Sequence, residues 1–122
     1  MNSTKLLLIA VIFGLSLNCS KSTKQETIYD VTYIAYGWGT LDITYINQHG
    51  GQTYKEGITD TLKYSFTATK DFHLYISCCS EGRHGSGESI VQIYVNGEMF
   101  EADSVFFVHG HYGRCATVEG YL

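Results

Sequence analysis

The sequence predicts an all-β domain: a small two-layer antiparallel β-sandwich, immunoglobulin-like in type, of seven to eight strands. Three observations predict it. Apolar residues recur with a period of two, the spacing of a strand with one buried face. Ten Tyr, six Phe and one Trp stand among 122 residues, and aromatic and β-branched side chains favour strands. Glycine is frequent (13), proline is absent, and no segment carries a helical period long enough to compete.

The domain is preceded by a leader. Lys5 gives a positive start, Leu6 to Leu17 is a charge-free apolar run of 12 residues, and Asn18-Cys19-Ser20-Lys21 follows. This is the layout of a secretory signal peptide ending at a cysteine. It resembles a bacterial lipoprotein signal, in which the cysteine is acylated (by palmitate-type chains) and becomes the first residue of the mature protein. The run is short for a membrane-spanning helix, which needs roughly 20 residues. The box before Cys19 departs from the lipoprotein pattern, with Ser16 where Leu is preferred and Asn18 where a small residue is preferred. Ordinary cleavage leaving Cys19 free is the alternative. Ser20 to Thr27 are polar and aperiodic, as in a flexible tether. The chain therefore divides into a signal peptide (1–18), lipidated Cys19 with its tether (19–27) and the sandwich (28–122).

Within the domain, Val31, Tyr33 and Ala35 alternate with Thr32 and Ile34 until Gly37-Trp38-Gly39 breaks the run. Leu41, Ile43 and Tyr45 form the next strand, and Gln48-His49-Gly50-Gly51 reads as a turn. Gln52-Thr53-Tyr54 reads as a short edge strand. Leu62, Tyr64, Phe66 and Ala68 give the cleanest alternation, followed by Leu74, Ile76 and Cys78. Glu81 to Gly87 reads as a loop, and Val91, Ile93 and Val95 as a strand. Asn96-Gly97 is a strong hairpin signal, since both residues tolerate the positive φ of a type I′ turn. Met99-Phe100, Val105 to Val108 and Ala116-Thr117-Val118 complete the set.

Removing residues 1–18 from the 122 leaves 104, enough for one core. Without Lys5 the mature chain has seven basic and twelve acidic side chains, a net charge of −5, with no basic cluster. That balance argues against nucleic acid as a partner. No Gly-x-Ser-x-Gly elbow, His-Glu-x-x-His motif or phosphate-binding glycine loop is present, so no catalytic residue is assigned and the expectation is a protein that is not an enzyme.

From Val31 onward the motifs resemble, in order and spacing, the extracytoplasmic domain of the mycobacterial membrane protein small (MmpS) family. The matching pieces are Val31-Thr32-Tyr33, Gly39 to Asn47, Leu62 to Ala68, Ile93 to Glu98 and Ala116-Thr117-Val118. Two family cysteines are replaced together, by Val91 and Val118, which are expected to be core neighbours. The family's transmembrane anchor is replaced here by a lipid-type signal. The resemblance implies a small sandwich tethered outside the cytoplasmic membrane and acting as an accessory partner of a membrane transporter.

Three cysteines remain besides Cys19. An exported compartment permits disulfides. Alternation turns Cys78 inward with Leu74 and Ile76, and turns Cys79 outward. Cys115 points outward if Ala116 and Val118 point inward. Parity therefore favours Cys79–Cys115, with Cys78 as the alternative to Cys79 if the strand bulges, and a vicinal Cys78–Cys79 bond as a third arrangement. His109-Gly110-His111 places two imidazoles on one strand face, where they can reach one zinc or copper ion, with Cys79, Cys115 or His84 as further ligands; a surface position without metal is the alternative. Trp38, beside Tyr36, is either an exposed contact for a ligand or partner or a cap on one end of the core. The expected function is a non-catalytic, lipid-anchored envelope lipoprotein acting as a binding or accessory domain, with an envelope transporter or other membrane protein as its partner and no cofactor. A periplasmic metal-binding lipoprotein and a carbohydrate-binding sandwich are the alternatives.

Overall fold

The computed structural model describes residues 25–80, 87–107 and 114–122. The signal peptide, Cys19, most of the tether, His84 and the pair His109 and His111 lie outside the described residues. Among the described residues, eight strands form two four-stranded antiparallel sheets. They are β1 (Ile28–Gly37), β2 (Leu41–Ile46), β3 (Gln52–Ile58), β4 (Leu62–Thr69), β5 (His73–Ser80), β6 (Gly87–Val95), β7 (Glu98–Phe107) and β8 (Cys115–Tyr121). The first sheet has the order β4-β1-β6-β7 and the second β3-β2-β5-β8. In pairing order β1, β2, β3, β4, β5 and β8 take the places of immunoglobulin strands B, C, C′, E, F and G. The β6–β7 hairpin fills the place beside β1 that strand A holds in an immunoglobulin domain.

The alternating residues meet between the sheets. Val31, Tyr33 and Ala35 of β1, Leu41, Ile43 and Tyr45 of β2, Leu74, Ile76 and Cys78 of β5, and Phe66 and Ala68 of β4 are buried in one cluster. Val91 and Ile93 of β6 and Ala116 and Val118 of β8 belong to the same cluster, and β6 packs against β8, so Val91 and Val118 face one interior. Tyr33 is fully buried at the centre of an aromatic group: its ring lies edge-on to Tyr45 at 6.0 Å and to Phe66 at 5.2 Å, within the favourable range for such pairs. Its hydroxyl accepts a long hydrogen bond from the Tyr75 N–H at 3.4 Å.

Asn96 and Gly97 join β6 to β7 with φ of 51° and 78°, both positive as a type I′ turn needs. The Asn96 side chain also accepts the Asp30 N–H at 2.9 Å, tying the turn to β1. Three elements differ from the sequence reading. Met99-Phe100 and Val105 onward are one strand, β7, because the polar stretch between them sits at a sheet edge, where Asp103 turns its carboxylate to the Thr117 N–H at 2.9 Å. β3 runs on to Ile58 through a register shift opposite Asp42, whose Oδ1 accepts the Gly57 N–H at 3.1 Å. Gly87 opens β6 rather than closing a loop.

Burial pushes the Cys78 thiol up to about 11, against the opposing effect of the Ser89 hydroxyl and with a small addition from Asp42. Burial likewise raises Tyr33 to about 12. Both groups are neutral when folded and ionise earlier in the unfolded chain, at the ordinary values of 9.0 and 10.0. As pH rises the unfolded chain releases these protons first, so the stability present below about pH 9 falls progressively toward pH 12. Urea denaturation from pH 7.5 upward is expected to show the decline starting near pH 9, and Cys78→Ala is expected to delay its start by about one unit. A flat profile through pH 10.5 contradicts this reading.

Candidate functional site

Among the described residues, the end of the sandwich where β1 finishes presents two large exposed aromatics, Trp38 and Phe106. Gly37 closes β1, and a Cβ built there would stand 2.4 Å from the Glu88 carbonyl oxygen, so only glycine allows β1 and β6 to approach this closely. Gly39 has φ +82°, a left-handed conformation that suits glycine. Between them the Trp38 backbone is held on both sides. Its N–H donates to the Glu88 carbonyl at 3.0 Å, and its carbonyl accepts from the buried Ser80 hydroxyl at 3.2 Å. Trp38 as a whole is 68% exposed.

This overturns the reading of Trp38 as a cap on the core. The interior at this end is already filled by Ala35, Leu41, Ser80 and Ser89, and the glycine-flanked turn carries the ring outward. Trp38 lines an open groove of about 380 Å³ with Tyr36, Glu88, Ile90 and Phe106. Register explains the assembly: Tyr36 lies opposite Ile90, and Glu88 opposite Phe106. Phe106 is 62% exposed. Sequence reasoning did not single it out, although its position next to the inward Val105 carried the signal. Glu88 is the charged side chain among the described residues of the lining.

Cys79 and Cys115 are directly opposed on β5 and β8 with Cα atoms 4.1 Å apart, and their sulfurs are bonded. The bond closes a loop with a sequence separation of 36. That loop contains β6 and β7, and hence Glu88, Ile90 and Phe106. The disulfide therefore fixes the points at which the groove-bearing hairpin leaves β5 and rejoins β8. Cys78 is buried and unbonded. Its raised thiol pKa and inward position make it a small core residue rather than a nucleophile.

The metal reading receives no support from the placed residues. His109, His111 and His84 lie outside the described residues, and Cys79 and Cys115 are unavailable as thiolate ligands because they are bonded to each other. Among the described residues no group of three or more His, Cys, Asp and Glu is arranged to hold an ion. A different surface group appears at the other end of the molecule. His73 Nε2 is 2.7 Å from Glu119 Oε1, and its ring stacks on Tyr121 with centroids 4.8 Å apart. The signal for it was the register of β5 against β8, which a single sequence does not display. Among the described residues no helix is long and apolar enough to cross a membrane.

No family model matches the chain, and no curated protein matches it significantly.

Proposed function

We propose that this chain is a non-catalytic binding domain held to a bacterial envelope membrane by acylated Cys19, with the Trp38 groove as the surface that takes hold of a protein partner. The observation that carries this reading is Trp38 itself: a large ring kept in solvent on a backbone fixed by Glu88 and Ser80. Burying such a ring without first having to order its backbone gives affinity at low entropic cost. Trp is enriched among residues that dominate interface energies, and a neighbouring Phe106 and Ile90 provide an apolar surround. Among the described residues the lining is mostly apolar, with Glu88 as its charge, and this supports a protein side chain as the group bound.

The position of the groove adds to the argument. The tether joins the domain at Ile28, and Trp38 follows the last residue of the same ten-residue strand. At about 3.3 Å per residue the two ends lie roughly 30 Å apart. An anchor at Cys19 thus enters at one end of the sandwich while the groove occupies the other. The partner surface is then the part of an envelope protein that projects from the bilayer, in keeping with the accessory role implied by the MmpS-like order of motifs.

The test replaces Phe106 by a photo-crosslinking benzoylphenylalanine in the intact lipoprotein and irradiates cells. The expected result is a discrete envelope-protein adduct that disappears when Trp38→Ala is added. An absence of protein adducts, together with glycan binding that depends on Trp38, would replace this reading with the carbohydrate one. Intact mass of the membrane-extracted protein tests the anchor: the expected mature chain starts at acylated Cys19 and carries one disulfide. A full-length mass with Met1 retained overturns it.

A further inference from the structure

Each sheet of a sandwich ends in two edge strands whose outward N–H and C=O groups are a template for another strand, and proteins usually blunt such edges with bulges, charges or covering segments. Among the described residues, three of the four edges carry a bulge or a covering contact. In β7, Ile93 pairs with Glu101 and Tyr94 with Met99, leaving Phe100 as an extra, bulged residue. The ring of Phe100 lies over Gly120 of β8, where a Cβ would stand 2.7 Å from it. β8 is covered from the same side, its Thr117 N–H being taken by Asp103. β3 carries the bulge at Gly57, with φ +70°.

Among the described residues β4 has neither a bulge nor a covering contact, and its only charge is the exposed Lys63. Its eight residues, Leu62–Thr69, pair with β1 in an unbroken register, contain no positive φ, and lie at the end of their sheet. The strand also complements itself. In an antiparallel pair, directly opposed residues share a face. A two-fold axis at Ser65 sets Tyr64 opposite Phe66 and Leu62 opposite Ala68 on the inner face. On the outer face it sets Lys63 opposite Thr67, and Ser65 opposite itself. Every inner pair is then apolar and every outer pair polar, with no like charges opposed. Moving the axis to Phe66 puts Leu62 opposite Lys70, moving it to Tyr64 puts Ala68 opposite Asp60, and moving it to Lys63 opposes two lysines.

We propose that β4 is a dimerisation edge, occupied by β4 of a second copy of this chain about an axis at Ser65, so that two four-stranded sheets become one continuous sheet. β4 and the groove-bearing β6 and β7 lie on opposite sides of β1. The dimer therefore leaves both Trp38 grooves open, and this inference stands whether or not the groove has the role proposed above.

The test is sedimentation velocity of the purified full chain over a concentration series, with two variants at exposed Thr67. Thr67→Lys places a lysine opposite Lys63 of the second copy, twice per dimer, and Thr67→Glu places a glutamate there. Cross-strand charge pairs of this kind contribute roughly 0.2–1 kcal/mol each. The expected result is a reversible wild-type dimer whose dissociation constant rises roughly two- to thirtyfold in Thr67→Lys and falls by a similar factor in Thr67→Glu. Circular dichroism of both variants is expected to match the wild type. A wild-type chain that stays monomeric at its highest soluble concentration overturns the proposal. So does a dimer that both variants leave unchanged, which places another surface, or another occupant, at the contact.

Discussion

Reducing the Cys79–Cys115 bond, or replacing both residues by serine, is expected to lower the unfolding free energy by about 4 kcal/mol. The figure follows from the loop the bond closes, with a sequence separation of 36, through the chain entropy it removes from the unfolded state. For a domain of this size, that is a large share of a total stability of about 5–15 kcal/mol. The loss has a local consequence too. The closed loop carries β6 and β7, so the groove walls at Glu88, Ile90 and Phe106 depend on the anchor points the bond fixes. Denaturant titration of oxidised and reduced protein reads the effect as a fall in midpoint together with a steeper slope, because the unfolded chain without the cross-link exposes more surface. Equal midpoints would show that β5 and β8 are held by their ladder and core contacts alone.

Tyr33→Ala is expected to cost a similar amount, about 4 kcal/mol, by a different route. Tyr33 is fully buried and its ring meets Tyr45, Tyr64 and Phe66. Removing a buried ring forfeits its transfer free energy and leaves a cavity that the surrounding strands close only in part. The sandwich offers little room to collapse, because Tyr45, Tyr64 and Phe66 also lean on one another. Tyr33→Phe separates the ring from the hydroxyl. It keeps the packing, loses the long bond from the Tyr75 N–H, and is expected to cost about 1 kcal/mol. Thermal unfolding of the pair checks both figures, and a Tyr33→Phe loss as large as that of Tyr33→Ala would contradict the packing account.

The inner face of this fold was legible in the sequence because period-two alternation is a local property. Val31, Tyr33 and Ala35, or Leu74, Ile76 and Cys78, declare their common face without reference to any other strand. Asn96-Gly97 declared its hairpin for the same reason. The order of strands was not legible, since the places of β6 beside β1 and β8 beside β5 depend on pairings between segments far apart in the chain. The candidate site was legible only in part. Gly37-Trp38-Gly39 announced a break in β1, but two glycines allow the ring to turn either way. What decides its direction is the Glu88 carbonyl and the Ser80 hydroxyl, both more than forty positions away. Phe106 joins Trp38 through the register of β7 on β6, which again is long-range. The bulge at Phe100, which distinguishes the edge of β7 from the unbroken register of β4, leaves no mark on local hydrophobic pattern.

The most direct measurement of the central claim is a paired reading of Trp38→Ala: thermal stability of the purified protein and yield of the Phe106-position crosslink in cells. An exposed ring on a separately anchored backbone predicts a midpoint close to wild type and loss of the adduct. A large fall in midpoint with the adduct retained would contradict the account, because it would make Trp38 a structural residue of the sandwich and leave the groove without its contact.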